Sequence, residues 1–198
     1  MHPANATGPD GATLRYGNPD NARTLDLFLE LRDRSSRYAM DGLLSTMRQA
    51  ADEGRFVLHF HFAALLDGTV GGSGSVRALS ALGAAGDVGQ RQFADYLAAL
   101  FAGQPFPPGF DRFSDPAVLL SLAGKVDGLR SPEFDGKVTA HTYVHWAGEA
   151  TGAFGAYGVL ETPAARLDGE ELTLVRAEGG FARGAAISVQ EFLEQIPQ

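Results

Sequence analysis

The sequence predicts an α/β fold built from two early apolar strands, a long helical stretch and a late hairpin. Residues 24–31 alternate leucines with other side chains, which is the period-two pattern of a strand with one deeply buried face. Residues 55–66 show the same alternation. Between residues 71 and 157 the spacing of apolar residues becomes helical. The chain therefore predicts a sheet whose strands lie before and after a block of helices.

The first core strand leads directly into a helix. Residues 33–36 are polar and provide N-cap residues, and residues 36–52 carry apolar side chains at three-and-four spacing. Gly54 suits the C-cap of this helix. Because free backbone N–H groups point outward at a helix N-terminus, we expect the functional site at this turn.

The other elements are shorter, and glycine or proline residues separate many of them. Asp168-Gly169 predicts a tight hairpin turn. The predicted strands are residues 13–16, 164–167 and 171–175. The predicted helices are residues 75–85, 90–102, 115–126, 138–154 and 188–196, and one more helix begins near Ser131. A mobile loop is predicted at residues 179–184.

The loop at residues 103–115 is rich in proline and also contains three phenylalanines. Phe106, Phe110 and Phe113 either anchor the loop from beneath or form an apolar rim that faces a ligand. Long loops usually hold themselves in place with their own side chains. We therefore expect all three to be anchors.

Two histidine pairs have spacings that occur in metal sites. His59 and His61 point to the same side of a strand, and His141 and His145 stand four apart on a predicted helix. Each pair lacks an evident third ligand, which a metal site would need. We expect no metal and no other cofactor.

The composition limits the class of protein. With 198 residues and 44% hydrophobic residues, the chain is long and apolar enough for a proper core. Its net charge of −8 argues against a broad nucleic-acid surface, because clustered Lys and Arg drive phosphate binding. We therefore expect no nucleic-acid partner.

The first twelve residues contain two prolines and two glycines but no apolar core. They predict a flexible N-terminus at residues 1–12, and neither a signal peptide nor a transmembrane helix. From this we expect no membrane partner and a cytoplasmic protein.

Several short motifs follow one another in an order that resembles a known family. They are Gly17-Asn18-Pro19-Asp20-Asn21-Ala22 before the first core strand, Asp33-Arg34-Ser35-Ser36 after it, Gly71-Gly72-Ser73-Gly74-Ser75 at a helix start, Leu122-Ala123-Gly124-Lys125-Val126-Asp127-Gly128-Leu129, and Glu161-Thr162-Pro163-Ala164. The span from residue 17 to about residue 173 resembles the DsbA-like branch of the thioredoxin superfamily, especially the single-domain forms common in actinobacteria. The resemblance implies a thioredoxin-like fold, with one domain over residues 13–198 and a helical insertion at about residues 71–157.

The chain departs from that family at its redox centre. The family's Cys-Pro-x-Cys turn falls here on Asp33-Arg34-Ser35-Ser36, and a further cysteine that is frequent in the family falls on Lys137. The chain contains no cysteine at all. Disulfide exchange needs an attacking thiolate and a resolving thiol, and neither a hydroxyl nor a carboxylate replaces them. We therefore expect no thiol–disulfide oxidoreductase activity of the family's kind.

The resemblance also implies a groove opposite the turn. In the family the Thr-Pro peptide is cis, which here concerns Thr162 and Pro163, and it exposes a backbone N–H and C=O that pair with an extended substrate. Across the groove, Arg34 and Ser35 at the helix N-terminus would suit a carboxylate or a phosphate. We predict that these four residues bind a peptide, a partner or a small acidic ligand. The sequence does not identify the ligand.

Two enzyme hypotheses compete with this binding hypothesis. Kappa-type glutathione transferases and chromene-carboxylate isomerases have a similar fold and use a serine at the first redox position, which would here have to be Ser35 or Ser36. In the other hypothesis Asp33 and Ser36 are catalytic and Asp33 acts as a base without any cofactor. The simpler interpretation is that Asp33 is an N-cap, because Asp and Ser before a helix are caps far more often than catalysts. A homo-oligomer is possible in each case.

Overall fold

The computed structural model describes residues 1–177 and 184–197. Its sheet has six strands in the order β1-β2-β4-β3-β5-β6. The central strands β3 and β4 are parallel, and the other neighbouring pairs are antiparallel. The strands are β1 Ala6–Thr7, β2 Thr13–Tyr16, β3 Thr24–Leu29, β4 Val57–Phe62, β5 Ala164–Leu167 and β6 Glu170–Leu172.

Six of the eight described helices lie between β4 and β5 in the chain, so the sheet is interrupted by a helical insertion. This arrangement confirms the predicted α/β fold with a helical insertion. The helices are α1 Arg34–Asp52, α2 Leu65–Val70, α3 Gly74–Val88, α4 Gln90–Ala102, α5 Pro116–Ala123, α6 Pro132–Thr139, α7 Val144–Phe154 and α8 Val189–Glu194, with short 3-10 helices at Arg112–Ser114 and Gly155–Tyr157.

The core lies between one face of the sheet and helices α1, α3 and α4. Leu25, Leu27 and Leu29 of β3 are fully buried on this face, as their alternation predicts. From α1, Leu43 and Met47 join the same cluster. The apolar residues that recur at every second position of β3, and those that recur at every third or fourth position of α1, are therefore the ones that pack in the core.

The opposite face of the sheet carries a polar cluster on β3 and β4. The Nε2 atom of His61 lies 2.7 Å from Oδ1 of Asp26, and its Nδ1 atom lies 3.2 Å from the hydroxyl of Thr13. Burial alone would raise the pKa of Asp26, but the imidazoles of His59 and His61 lower it to about 2. Within residues 1–177 and 184–197, no group of three or more side chains has the arrangement of a metal site.

Several predicted elements have different boundaries in the structure, and two of them change the expected architecture. The strand predicted at residues 55–66 ends at Phe62, and α2 follows it. The helix predicted at residues 138–154 is interrupted, because His141 adopts a left-handed backbone with φ +51°. His141 and His145 therefore do not share a helix face. The loop predicted at residues 179–184 lies outside the described residues, apart from Gly184.

The structure places the N-terminal segment, for which the sequence predicts flexibility, in contact with the rest of the fold. Strand β1 pairs with β2, and the indole N–H of Trp146 donates a 2.7 Å hydrogen bond to the carbonyl of Gly11. The backbone N–H of Ala4 donates to Oδ1 of Asp87 at 2.8 Å. The segment has few apolar residues, but polar contacts to the helices hold it in place. In the described part of the chain, no helix is both long and apolar enough to span a membrane.

We expect Asp87→Ala to release this N-terminal segment. Besides the Ala4 N–H, the Asp87 carboxylate accepts hydrogen bonds from Lys137 Nζ and the Tyr143 hydroxyl. Their loss should lower the free energy of unfolding by about 1–3 kcal/mol in urea denaturation. Amide hydrogen exchange should accelerate at residues 4–7. The exposed Asp127→Ala is the control, and equal exchange in the two variants would contradict this role of Asp87.

Candidate functional site

The turn between β3 and α1 is organised by the carboxylate of Asp33. Asp33 is the N-cap of α1, and it accepts hydrogen bonds from the backbone N–H groups of Ser35 at 3.3 Å and Ser36 at 2.8 Å. Its Oδ2 atom also accepts the hydroxyl of Ser36 at 2.7 Å. A short polar side chain before a helix satisfies N–H groups that have no partner inside the helix. The N-cap interpretation of Asp33 therefore describes its local geometry.

The Thr162–Pro163 loop lies directly against this turn. The hydroxyl of Thr162 donates to Oδ2 of Asp33 at 3.2 Å, and the peptide bond between Thr162 and Pro163 is cis. In the described part of the chain, the backbone N–H and C=O of Thr162 make no hydrogen bond to other backbone groups. The structure thus brings together the two predicted halves of the groove and leaves one edge of backbone unpaired.

The two serines of the turn are not free. Ser36 is fully buried, and its hydroxyl donates to Asp33 while it accepts the backbone N–H of Glu30 at 3.3 Å. Ser35 is also buried, and its backbone N–H already binds Asp33. Four hydrogen bonds converge on the Asp33 carboxylate. The anion position at the N-terminus of α1 is therefore occupied by the protein's own carboxylate.

Arg34 differs from its neighbours because its side chain is exposed. Its Nε–H donates to the hydroxyl of Tyr38, and its guanidinium carbon lies 4.4 Å from the ring centroid of Phe106 and 5.3 Å from that of Tyr38. A guanidinium that stacks on aromatic rings can still donate hydrogen bonds from its terminal Nη1 and Nη2 groups. Among the predicted ligand-binding residues, Arg34 carries the charged side chain, and this side chain is exposed.

The proline-rich loop borders the turn on the side of Arg34. The amide of Gln104 donates hydrogen bonds of 2.9 Å to the backbone carbonyls of both Leu31 and Asp33, which fastens the loop to the turn. Phe113 is fully buried, but Phe106 and Phe110 are 64% and 60% exposed. The expectation that all three phenylalanines anchor the loop is wrong for two of them. Gln104 and Phe113 hold the loop, so Phe106 and Phe110 are left at the surface.

A buried carboxyl group lies beneath the turn at the end of β3. Glu30 accepts the backbone N–H groups of Arg32 at 3.1 Å and Leu66 at 3.2 Å. Burial raises the pKa of Glu30 to about 7, and the N–H donors offset only part of this effect. The protonation of Glu30 is therefore sensitive to pH close to neutrality, directly under the groove.

A fully buried guanidinium connects the segments around the turn. Nη1 of Arg32 lies 2.7 Å from Asp67 and 3.4 Å from Asp111, and Nη2 donates to the carbonyl of Pro108. Asp67 and Asp111 in turn accept backbone N–H groups at the start of α3. Buried charges persist where they are paired and hydrogen-bonded. This network fixes α2, α3 and the proline-rich loop to the residue that precedes Asp33.

Sequence reasoning did not select Glu30, Arg32, Asp67 or Asp111. One local signal was present, because Glu30 and Arg32 are charged residues directly adjoining an otherwise apolar strand. Glu30 also contacts Leu66, and Arg32 pairs with Asp67 and Asp111, and the sequence pattern does not reveal contacts between residues so far apart. The network therefore becomes visible only in the structure.

Four exposed apolar side chains lie on segments that are attached to the turn. Leu160, which lies two residues before Thr162, is 99% exposed, and Leu65 beside the Glu30 contact is 53% exposed. Together with Phe106 and Phe110, both of the proline-rich loop, they lie on three segments that each contact residues 30–34. We call these four side chains the apolar rim. A cavity of about 420 Å³ adjoins Pro163 and is lined mainly by apolar residues that include Val159, Leu172 and Leu174.

Comparison with solved structures shows proteins of the same fold. The chain matches a disulfide bond oxidoreductase (DsbG) from Mycobacterium tuberculosis with a TM-score of 0.68 and 20% identity, covering 82% of this chain and 81% of that one. It matches MdbA from Actinomyces oris, a thiol-disulfide oxidoreductase, with a TM-score of 0.69, 20% identity and coverage of 86% and 82%. It matches BdbD from Bacillus subtilis with a TM-score of 0.71, 15% identity and coverage of 99% and 97%. Neither a protein-family model nor a curated protein sequence matches the chain.

These matches confirm the predicted DsbA-like thioredoxin fold. Identities of 15–20% show the fold alone. Two of the solved relatives are named as oxidoreductases of thiols or disulfides, whereas the present chain has no cysteine. The fold is shared, and the thiols that disulfide exchange requires are missing from this chain.

We expect Asp33→Ala to destabilise the chain through its cap. The variant loses the N-cap acceptor of α1 and the link to Thr162, which should lower the free energy of unfolding by about 1–2 kcal/mol. Asp33→Asn retains a side-chain oxygen that can cap and should retain most of the stability. Urea denaturation of the three proteins measures the effect, and equal stability of wild type and Asp33→Ala would contradict it.

The pKa of Glu30 predicts how stability depends on pH. A pKa raised from 4.5 to about 7 favours the protonated folded state, so the free energy of unfolding should fall as pH rises from about 4.5 through about 7. The fall attributable to Glu30 should be about 2–3 kcal/mol, and Glu30→Gln should lack it. Urea denaturation between pH 4.5 and pH 8 tests this, with the exposed Glu170→Gln as control. Parallel curves for wild type and Glu30→Gln would refute the assignment.

Proposed function

We propose that this chain is a binding protein without thiol–disulfide oxidoreductase activity, and that its groove between residues 33–36 and the Thr162–Pro163 loop binds an extended peptide segment. The observation that carries the proposal is the apolar rim around the turn. Exposed apolar side chains that cluster mark interaction sites more reliably than isolated ones. Each rim segment is held by a hydrogen bond, an ion pair or a cation–π contact at or beside the turn, so the surface is preorganised.

The Thr162 backbone supports an extended ligand in particular. Its unpaired N–H and C=O offer a strand-like edge, and an extended segment that pairs with them would place alternate side chains to either side. The apolar cavity beside Pro163 could receive one such side chain. Backbone pairing would supply affinity for any sequence, while the rim and cavity would favour apolar residues.

The lack of redox activity in the proposal follows from chemistry. A thiolate attacks and a second thiol resolves during disulfide exchange, and this chain has no cysteine. An insulin-reduction assay with dithiothreitol should therefore show no acceleration above the reductant alone. The cytoplasmic location and a homo-oligomeric state stay predictions.

The enzyme alternatives have less support from the geometry. A serine that holds a cofactor thiolate must face the groove, but Ser36 is fully buried and bonded to Asp33. A base needs an available lone pair, but four donors already converge on the Asp33 carboxylate. A glutathione-conjugation assay tests the transferase alternative, and turnover in it would favour an enzyme over a binding protein.

Selection from a phage-displayed library of random decapeptides tests the binding proposal. Enriched peptides, synthesised with a fluorophore, should bind the wild-type chain in anisotropy titrations. Leu160→Asp places a charge on the rim and should weaken binding about tenfold or more.

Val189→Asp is the matched control, because Val189 is also exposed but lies on α8, away from the rim. It should leave the affinity unchanged. A library that yields no enriched peptide, or peptides whose affinity is the same for wild type and Leu160→Asp, would overturn the proposal.

A further inference from the structure

Arg34 is an exposed cation that has no acidic partner among residues 1–177 and 184–197. Within the described residues its guanidinium forms no ion pair, whereas Arg32 pairs with Asp67 and Arg37 pairs with Asp41. The chain carries 24 acidic residues and a net charge of −8, so carboxylates are abundant elsewhere on the molecule. A cation left without one at the groove is available for a ligand.

The contacts of Arg34 fix the orientation of its guanidinium group. The Nε–H is engaged by the Tyr38 hydroxyl, and the flat guanidinium lies over the rings of Tyr38 and Phe106. Its two terminal nitrogens have no hydrogen-bond partner in the described part of the chain. Arginine binds carboxylates through such a pair of parallel N–H groups. Because the aromatic rings already hold the side chain, a ligand has less conformational entropy to remove.

The neighbouring groups favour a carboxylate over a phosphate. The backbone N–H groups at the start of α1, which could have supported a phosphate, are taken by Asp33. The Asp33 carboxylate also lies one residue away and repels a dianion more strongly than a monoanion. A single guanidinium therefore matches a single carboxylate.

The apolar rim indicates where that carboxylate sits in a ligand. Phe106 contacts Arg34 itself, and Leu160 lies across the groove beside Thr162. An apolar residue on one side of Arg34 and another across the groove require a ligand that continues in both directions. We propose that Arg34 selects peptides in which an Asp or Glu side chain is flanked by apolar residues. This inference rests on the proposed function and specifies its ligand.

Parallel phage selections with wild type and Arg34→Gln test the inference. The displayed decapeptides are fused at their C-terminus, so enriched carboxylates come from side chains. We expect Asp and Glu to be enriched about threefold or more over the input library with wild type, since a charge-assisted pair is worth about a factor of ten in affinity. Arg34→Gln should lose this enrichment and still select apolar peptides. Arg37→Gln, which changes a neighbouring half-buried arginine that pairs with Asp41, should keep it.

A double-mutant cycle on one selected peptide gives the direct measurement. The Glu→Gln peptide and the Arg34→Gln protein should each lose about tenfold in affinity, and the combination should lose little more than either alone. Amidation of the peptide's C-terminus should have no effect, and 10 mM inorganic phosphate should not displace the peptide. Displacement by phosphate, or an effect of amidation that replaces the side-chain effect, would overturn the assignment to an acidic side chain.

The outcomes separate this inference from the function it rests on. Apolar peptides without an acidic excess, or an acidic excess that persists with Arg34→Gln, would overturn the role of Arg34 and leave peptide binding intact. A selection in which neither protein enriches any peptide would overturn the proposed function itself. Thermal melts of Arg34→Gln should match wild type, because the side chain is exposed.

Discussion

The arrangement of the turn and the cis-proline loop depends on one internal anion, the carboxylate of Asp33. It accepts two backbone N–H groups of α1, the hydroxyl of Ser36 and the hydroxyl of Thr162. It therefore both starts the helix and attaches the Thr162–Pro163 loop to the turn. In the resembled family this position holds the first cysteine of the redox motif. A helix N-terminus that stabilises a thiolate stabilises a carboxylate for the same electrostatic reason. In this chain the charge of Asp33 is directed inward, so the carboxylate has a structural role.

Beneath the turn, buried charges hold the surrounding segments together. Arg32 is fully buried and pairs with Asp67 and Asp111, whose remaining oxygens cap α3. Removing any member would leave a buried charge without its partner, which is costly. Glu30 lies on the same segment, and its raised pKa means that it gains charge close to neutral pH. The Arg32 ion pairs therefore hold the segments beneath the turn together, and the net charge there changes when Glu30 gains or loses its proton.

Local signals in the sequence predicted the elements that depend on local chemistry. Strand β2, helix α4, strand β5 and the Asp168-Gly169 turn have the predicted boundaries, and the Asp33 cap was recognised from its residue type alone. Local signals did not indicate certain contacts between distant residues, nor one change of backbone conformation. The N-terminal segment is held by Asp87 and Trp146, and the break at His141 interrupts a spacing that reads as continuous helix. Periodicity carries no information about such contacts.

The same distinction applies to the site. The sequence identified Arg34, Thr162 and Pro163 as neighbours through the resemblance, but it treated the serines and Arg34 as one anion site. The structure separates them, because the Ser36 hydroxyl and the N–H groups of both serines bind Asp33, whereas the Arg34 guanidinium stacks on Tyr38 and Phe106. A fold whose solved relatives include thiol–disulfide oxidoreductases has here a centre with its hydrogen bonds satisfied. In the proposed function, selectivity therefore resides in Arg34, the apolar rim and the Thr162 backbone, whose N–H and C=O make no backbone hydrogen bond within the described residues.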